Sequence, residues 1–395
     1  MAGEGEEALP ARFAPPEEGG RPDVLIVAGE HSGDEHASAL VSELKERMPG
    51  VKVCAVGGEA LAREGAQLLF DLTRYSVVGL VEVLRNYGFF RGLMARVLSW
   101  ISEYRPRAVC FVDYPGFNLR AAKRLYEGGV AAKAGGDVKL LYYISPQIWA
   151  WKQKRRFRMA RYLDSLAVIF PFETAVYGDT DLPVQFVGHP FVTSGRPLPV
   201  RYERDAPLLL FPGSRRQAVG RIFPLMLAGL EAFGKRLPRE RACVLYPSTG
   251  IRDVLRGELA KRPELAEQVA LRPVAEGAAG KAVLTSSGTM SLACALAGLP
   301  GAIIYRAHPL TYAVGRLVVK VDYLGIANIL LERPGYPEFI QGRARPGELA
   351  AELGKCVTDR ERIARAQADA RTLRELLGEP GSASAGQWLM RELGG

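Results

Sequence analysis

The sequence predicts an α/β protein of two successive doubly wound domains, each a mostly parallel sheet with helices on both faces. Three observations predict it. Short apolar runs of strand length alternate with helix-length amphipathic stretches. That alternation breaks once, over GHPFVTSGRPLPVRYERDAP (188–207), which is dense in Gly, Pro and charge. The chain has 395 residues, 48% of them hydrophobic, which is enough to fill two or three cores. The expected boundaries are a disordered tail (1–22), a first domain (23–190), a linker (191–207), a second domain (208–350) and terminal helices (351–395). With no obvious strands to serve, those helices either cap the second domain or cross back to the first.

Taken in order, VLIVAGE (24–30) is the first strand, followed by the polar turn HSGD and a helix through EHASALVSELKERM. KVCAVGG (52–58) is the second strand candidate. An amphipathic stretch over 77–104 precedes AVCFVD (108–113), and VKLLYYI (138–144) and LAVIF (165–169) complete the first domain. In the second, LLLFPG (208–213) leads into a helix from about Val219, with RACVLYPS (241–248) as the next strand. AVLTSSG (282–288) precedes a helix around MSLACALAG, and GAIIYR (301–306) follows.

Charge narrows the partner. A formal +9 and a pI near 9.3 favour an anionic one: a nucleic acid, a phosphate-rich metabolite or an acidic membrane surface. The five cysteines lack CxxC spacing and lie in apolar runs, as reduced core thiols of a cytosolic protein do. The acidic, Pro/Gly-rich start has no apolar core and is not a signal peptide. No run of 18 apolar residues is present to span a membrane.

Ligands of open α/β sheets gather beyond the carboxyl ends of strands, and three loops there are chemically unusual. In AGEHSGD (28–34), Gly29 and Gly33 permit tight backbone paths, and Ser32 or Asp34 is placed to cap the next helix. The loop reads either as a substrate-binding turn or as a well-capped connection. In FPGSRR (211–216), Gly213 lets backbone approach a ligand, Ser214 and the helix start offer donors to phosphate, and Arg215 adds a charged fork. An Arg in a first helical turn opposes the helix dipole, a mismatch that a bound anion relieves. The third loop, TSSGTM (285–290), repeats the strand, Gly/Ser/Thr and helix arrangement. Two such loops in one domain suit a nucleoside diphosphate; otherwise they are unrelated caps.

One acid stands out. Asp113, in CFVDYPGFNLR, closes an apolar strand, where partial burial raises a carboxyl pKa and suits it to general-base work; otherwise it only forms the turn. GxGxxG and GxxxxGK[ST] are missing, as are GxSxG, HExxH and any Cys/His cluster, so no metal site is expected.

With these segments laid out, the sequence resembles the lipid-A-disaccharide synthase family of GT-B glycosyltransferases. The resemblance runs over about 24–350 through AGEHSGD, VDYPGFN, YYISPQIWAWKQKR (142–155), FPFETAVY (170–177), VGHP (187–190), FPGSR, SSGT and HPLTYAVGRLVVKVDYLGIANIL (308–330). It implies two Rossmann-like domains facing across a cleft, and no cofactor. The implied reaction is inverting, metal-independent transfer from UDP-2,3-diacylglucosamine to 2,3-diacylglucosamine 1-phosphate, with UDP leaving. Asp113 matches the acid that activates the acceptor hydroxyl, and Gly29, Ser32, Gly33, Asp34 and Asn118 would lie on the acceptor side. Gly213, Ser214, Arg215, Ser287, Gly288 and Thr289 match the donor loops, and Asn328 and Gln341 match the donor-side cleft. The implied setting is cytoplasmic and peripheral to the inner membrane, as monomer or homodimer.

Departures from the family pattern are His31, Ala37 and Gly116, and, where the family has Glu, Ala218 and Ala293. Loss of a charged hydrogen bond costs roughly 1.5–3 kcal/mol if nothing replaces it. A divergent or inactive paralogue using another nucleotide sugar, or a related transferase or epimerase, therefore stays open. Of a different class is a nucleic-acid-binding protein, for which no motif is recognised.

Two segments are candidates for a lipid surface. VVGLVEVLRNYGFFRGLMARVLSW (77–100) interleaves apolar residues with Arg and suits an interfacial element, with Leu84, Phe89, Phe90 and Leu93 facing the membrane; the alternative is a helix packed on the sheet. The basic, Trp-bearing stretch at 142–161 either meets anionic head groups or packs at least one Trp beneath a helix.

Overall fold

The computed structural model describes residues 9–75, 87–235, 240–308, 312, 321–378 and 383–394. The chain divides into two compact units, Met1–Ser194 with Glu379–Gly395, and Gly195–Gly378.

The first unit is built on seven parallel strands: β1 (Val24–Ala28), β2 (Val53–Gly57), β3 (Gln67–Asp71), β4 (Ala108–Val112), β5 (Lys139–Tyr143), β6 (Ser165–Val168) and β7 (Val184–Phe186). Their spatial order is β3-β2-β1-β4-β5-β6-β7. Strands β1, β2 and β4 are buried along their whole length, as parallel strands covered on both faces must be. The helix His31–Arg47 turns Ala37, Leu40, Val41 and Leu44 onto the sheet, a spacing of three and four residues that keeps one face apolar. Direction reverses between β1 and β4, which pair with Ala28 opposite Val112. The loops after these two strands therefore flank the switch point, where such sheets bind ligands.

The second unit repeats the plan. Strands β8 (Val200–Tyr202) and β12 (Ala278–Gly280) form a small parallel pair. The main sheet contains β9 (Leu208–Phe211), β10 (Ala242–Tyr246), β11 (Val269–Pro273), β13 (Val283–Ser286), β14 (Gly301–Tyr305) and β15 (Glu338–Ile340). Its order is β11-β10-β9-β13-β14-β15, which places its own switch point between β9 and β13.

Every strand expected from an apolar run is present. The unforeseen β3, β7, β11 and β15 are the edge strands of the two main sheets, and none is buried along its whole length. Their mixed composition hid them. The expected linker instead contains the helical turn Pro190–Thr193 and strand β8, with the unit boundary at Ser194.

The two ends of the chain need correction. From Leu9 onward the tail is not a free coil: Phe13 is buried and stacks on Phe70, and the Trp100 indole donates to Ala14 O at 2.9 Å. An acidic, Pro-rich composition did not reveal that the Phe13 ring and the Ala14 carbonyl anchor it. The terminal helices split between the units. Pro346–Thr358 and Arg360–Leu377 stay in the second, where Arg362 is buried against Glu352 at 3.1 Å. Ala385–Glu392 belongs to the first: Glu43 accepts from Gly386 N, and the Trp388 indole donates to Ser165 at 2.9 Å.

Candidate functional site

At the switch point of the first unit, Asp113 and Tyr114 are consecutive non-glycine residues in the left-handed region, with φ of 45° and 48°. Such a conformation costs energy and persists only where its surroundings over-determine it. Here they do. The Asp113 carbonyl accepts from the Tyr142 hydroxyl at 2.6 Å and from the Asn118 amide at 2.8 Å. Tyr114 lies flat against Gly29, where a Cβ would come within 2.2 Å of its ring, so glycine is required at 29.

The Asp113 carboxyl is thereby held beside Glu30, which begins the loop after β1. Burial, helped by the Glu30 charge and opposed by the Tyr114 N–H, pushes its pKa up to about 7. The residue keeps some surface open to solvent, so a proton acceptor here is both poised near neutrality and reachable.

Of the other residues expected on the acceptor side, Asn118 is fully buried and clamps backbone carbonyls, while its own Oδ1 has no hydrogen-bond partner among the described residues. Ser32 is exposed and Gly33 buried. Asp34 is a correction. It caps no helix of its own: the helix begins at His31 behind Glu30, without a side-chain cap. Its buried carboxylate instead receives Gly58 N and Ala60 N at 2.8 and 2.9 Å, tying β2's turn to the helix. Both of its oxygens are engaged by backbone N–H groups.

In the second unit the two glycine-bearing loops follow the paired strands β9 and β13. A Cβ on Gly213, whose φ is 113°, would lie 3.2 Å from the Ser286 hydroxyl, so the loops are side by side. Ser214 and Arg215 are exposed, and the helix after them starts at Arg216, earlier than the expected Val219. Neither that helix nor Thr289–Leu296 carries an acid in its first turn. Ser287 is half-buried, while Gly288 and Thr289 are exposed at the second helix start. Two adjacent helix starts without acids, one of them preceded by the exposed Arg215, are the kind of surroundings that suit an anion.

Asn328 and Gln341, expected in the donor-side cleft, are held by internal hydrogen bonds. Asn328 is fully buried, donating to Tyr336 O and Glu338 and accepting from Tyr336 N. Gln341 exchanges two hydrogen bonds with the Ala307 backbone. Both amides shape loops, Asn328 from within the core and Gln341 from a half-buried position. Ala293 is fully buried and Ala218 packs on the core, so both departures are occupied by packing.

Sequence reasoning missed a second group around the first site. Ser145 and Tyr177 share a buried 2.7 Å hydrogen bond, and Glu173 is 1% exposed. His189 is buried, its Nδ1 accepting from Phe191 N, and burial drives its pKa well down, so it is neutral. Their signal was positional: Ser145 and His189 lie just after β5 and β7, and Glu173 and Tyr177 bracket the helical turn that follows β6.

The lipid-facing expectations divide. Leu84 lies outside the described residues. Phe89 and Phe90 are half-buried, Phe89 stacking on Tyr75 at 4.3 Å. Leu93 is a correction: it is fully buried in the core, because the helix Tyr87–Tyr104 packs its Leu93, Val97 and Ile101 side on the sheet. In the basic stretch Trp149 packs edge-on to Phe172, whereas Trp151 and Phe157 stay exposed at 44% and 49%, beneath Lys152 and Arg156.

Comparison with known proteins gives one direction. The family model described as lipid-A-disaccharide synthetase matches residues 24–391. The lipid-A-disaccharide synthase of Geobacter metallireducens is 37% identical over 373 residues, covering 91% of this chain and 94% of its own. Among solved structures, the glycotransferase of kitacinnamycin superposes with a TM-score of 0.58 at 16% identity, over 93% of this chain and 98% of its own. The UDP-GlcNAc 2-epimerase of Methanocaldococcus jannaschii, in complex with UDP-GlcNAc and UDP, gives 0.55 at 9% identity, over 89% and 99%. These two likenesses establish the fold: a GT-B arrangement of two Rossmann-like domains.

Proposed function

This chain belongs to the lipid-A-disaccharide synthase family, and we propose that it joins two acylated glucosamine units by inverting glycosyl transfer. The donor is UDP-2,3-diacylglucosamine and the acceptor 2,3-diacylglucosamine 1-phosphate. The acceptor 6-hydroxyl oxygen forms a bond to the donor's anomeric carbon, the bond from that carbon to the diphosphate breaks, and the hydroxyl proton passes to Asp113. Charge developing on departing UDP is received by Arg215 and the amides of the two adjacent helix starts. The observation that carries this reading is the strained, clamped Asp113 beside Glu30, with a pKa near neutrality.

Purified protein incubated with both substrates is expected to yield disaccharide phosphate and UDP, followed by mass spectrometry. Release of UDP without disaccharide, or no turnover of either substrate, would overturn the assignment.

Acylated substrates also favour work at a lipid surface. No helix among the described residues is long and apolar enough to cross a membrane. For contact at a bilayer surface, Trp151 and Phe157 with the surrounding Lys152, Lys154, Arg158 and Arg161 are suited to acidic head groups. Each such cation contributes about 1 kcal/mol near an anionic surface. Changing Trp151 and Phe157 together to Ser is expected to weaken sedimentation with phosphatidylglycerol vesicles by roughly tenfold, from the apolar area withdrawn. Equal binding by the variant would remove this patch from the membrane role.

A further inference from the structure

Glu173 begins the short helix Glu173–Val176 just after β6, and its carboxyl is enclosed. Among the described residues no Lys, Arg or His forms an ion pair with it. One oxygen accepts Phe170 N at 3.1 Å. The Trp149 indole lies alongside: its Nε1 is buried without a hydrogen bond of ordinary geometry, yet it is close enough to this carboxyl to oppose protonation. Phe172 meets Trp149 edge-on at 5.2 Å and stacks on Phe170 at 5.7 Å, so the acid, the indole and the turn form one packed group.

We propose that Glu173 is a positioning residue of the acceptor site that works as a neutral carboxylic acid, fixing Trp149 and the Phe170–Phe172 turn while Asp113 carries the charge. An unpaired carboxylate enclosed by protein is costly, and such a group keeps its proton instead. A second negative charge nearby strengthens the bias, and Asp113 supplies it.

The direction agrees. Burial, with a contribution from Asp113 and against the Phe170, Ile169 and Trp149 N–H groups, moves Glu173 up to about 8. The other titratable groups facing this cluster are Tyr177, raised by burial, and Arg155, which acts on Tyr177 and Tyr142. Neutral His189 lies 5.5 Å from Phe170, and Glu30 acts on Asp113. Of the Asp113–Glu173 pair, Asp113 is therefore the first to lose its proton as pH rises.

The inference rests on the transferase reading for the word acceptor, but its physical content is tested without turnover. Tryptophan fluorescence of the full chain, minus that of a Trp149→Phe variant, isolates Trp149 across pH 6–10. One transition centred near pH 8 is expected, absent in Glu173→Gln and moved to lower pH in Asp113→Asn, where the neighbouring charge is gone. No transition in the parent chain, or one that survives Glu173→Gln, overturns the proposal. Should the Gln variant fail to fold, the shift or its absence in Asp113→Asn decides. Under turnover, Glu173→Ala is expected to lower kcat at pH 7 by about tenfold or more, through misplacement of the site. Glu173→Gln should restore most of that loss, with KM changing less than kcat; Gln as damaging as Ala would mean the ionised form is required. An inactive parent chain that still shows the fluorescence transition would count against the reaction, not against the neutral acid.

Discussion

Asp113→Asn is expected to lower turnover by about 10²–10⁴-fold, the range for losing a positioned general base, while affinity for UDP stays unchanged. Asparagine keeps the shape of the turn, and the clamps from Tyr142 and Asn118 reach the Asp113 backbone carbonyl, not its side chain. The change therefore removes proton acceptance and little else. A base must be ionised to act, so kcat of the parent chain should rise with pH through about 7, where Asp113 loses its proton. The asparagine variant should lack that limb.

Stability provides an independent check with a fixed sign. The folded pKa of Asp113 lies above the ordinary carboxylate value of 3.8, so the folded state holds the proton more tightly than the unfolded one. Ionising Asp113 thus works against folding as pH rises from about 4 through 7. Asp113→Asn should accordingly gain thermal stability over the parent at pH 8 relative to pH 4. Undiminished turnover in the variant would remove Asp113 from the chemistry. A difference in stability that does not grow with pH would contradict its environment.

Arg215→Ala is expected to weaken UDP binding by roughly 10- to 150-fold, the equivalent of losing one charged hydrogen bond of about 1.5–3 kcal/mol. Arg215 is exposed at the N-cap of the helix Arg216–Gly234, with no ion-pair partner among the described residues. Its position opposes the helix dipole unless an anion is present. The same substitution should therefore leave the unliganded fold intact or slightly stabilised. Calorimetric titration with UDP at constant ionic strength measures the effect. Equal affinity would place the diphosphate away from the adjacent Gly213 and Ser287 loops.

Much of this was legible in the chain itself. The interior strands were, because β1, β2, β4, β9 and β13 are flanked by partners and covered on both faces, so each must be a short apolar run. The loops after them were legible too, since glycine, Ser/Thr and a single acid or arginine at a strand end are unusual there. Edge strands such as β7 and β15 were not, because an edge is half wet and its sequence is free to be mixed. Asp34 shows the opposite failure. It has the residue type of a ligand-binding acid in a ligand-binding loop, and only contact with Gly58 and Ala60, far along the chain, engages it elsewhere.

The sequence by itself determined the two repeated α/β units, the family and the identity of the loops at both switch points, because these rest on local pattern and on the types of neighbouring residues. Only the tertiary structure decided that Asp113 is strained and shifted toward neutrality, that Glu173 is enclosed beside Trp149, and that Leu93 faces the core. Burial, register and the nearness of one charge to another are set by residues distant in the chain, and no run of neighbouring letters contains them.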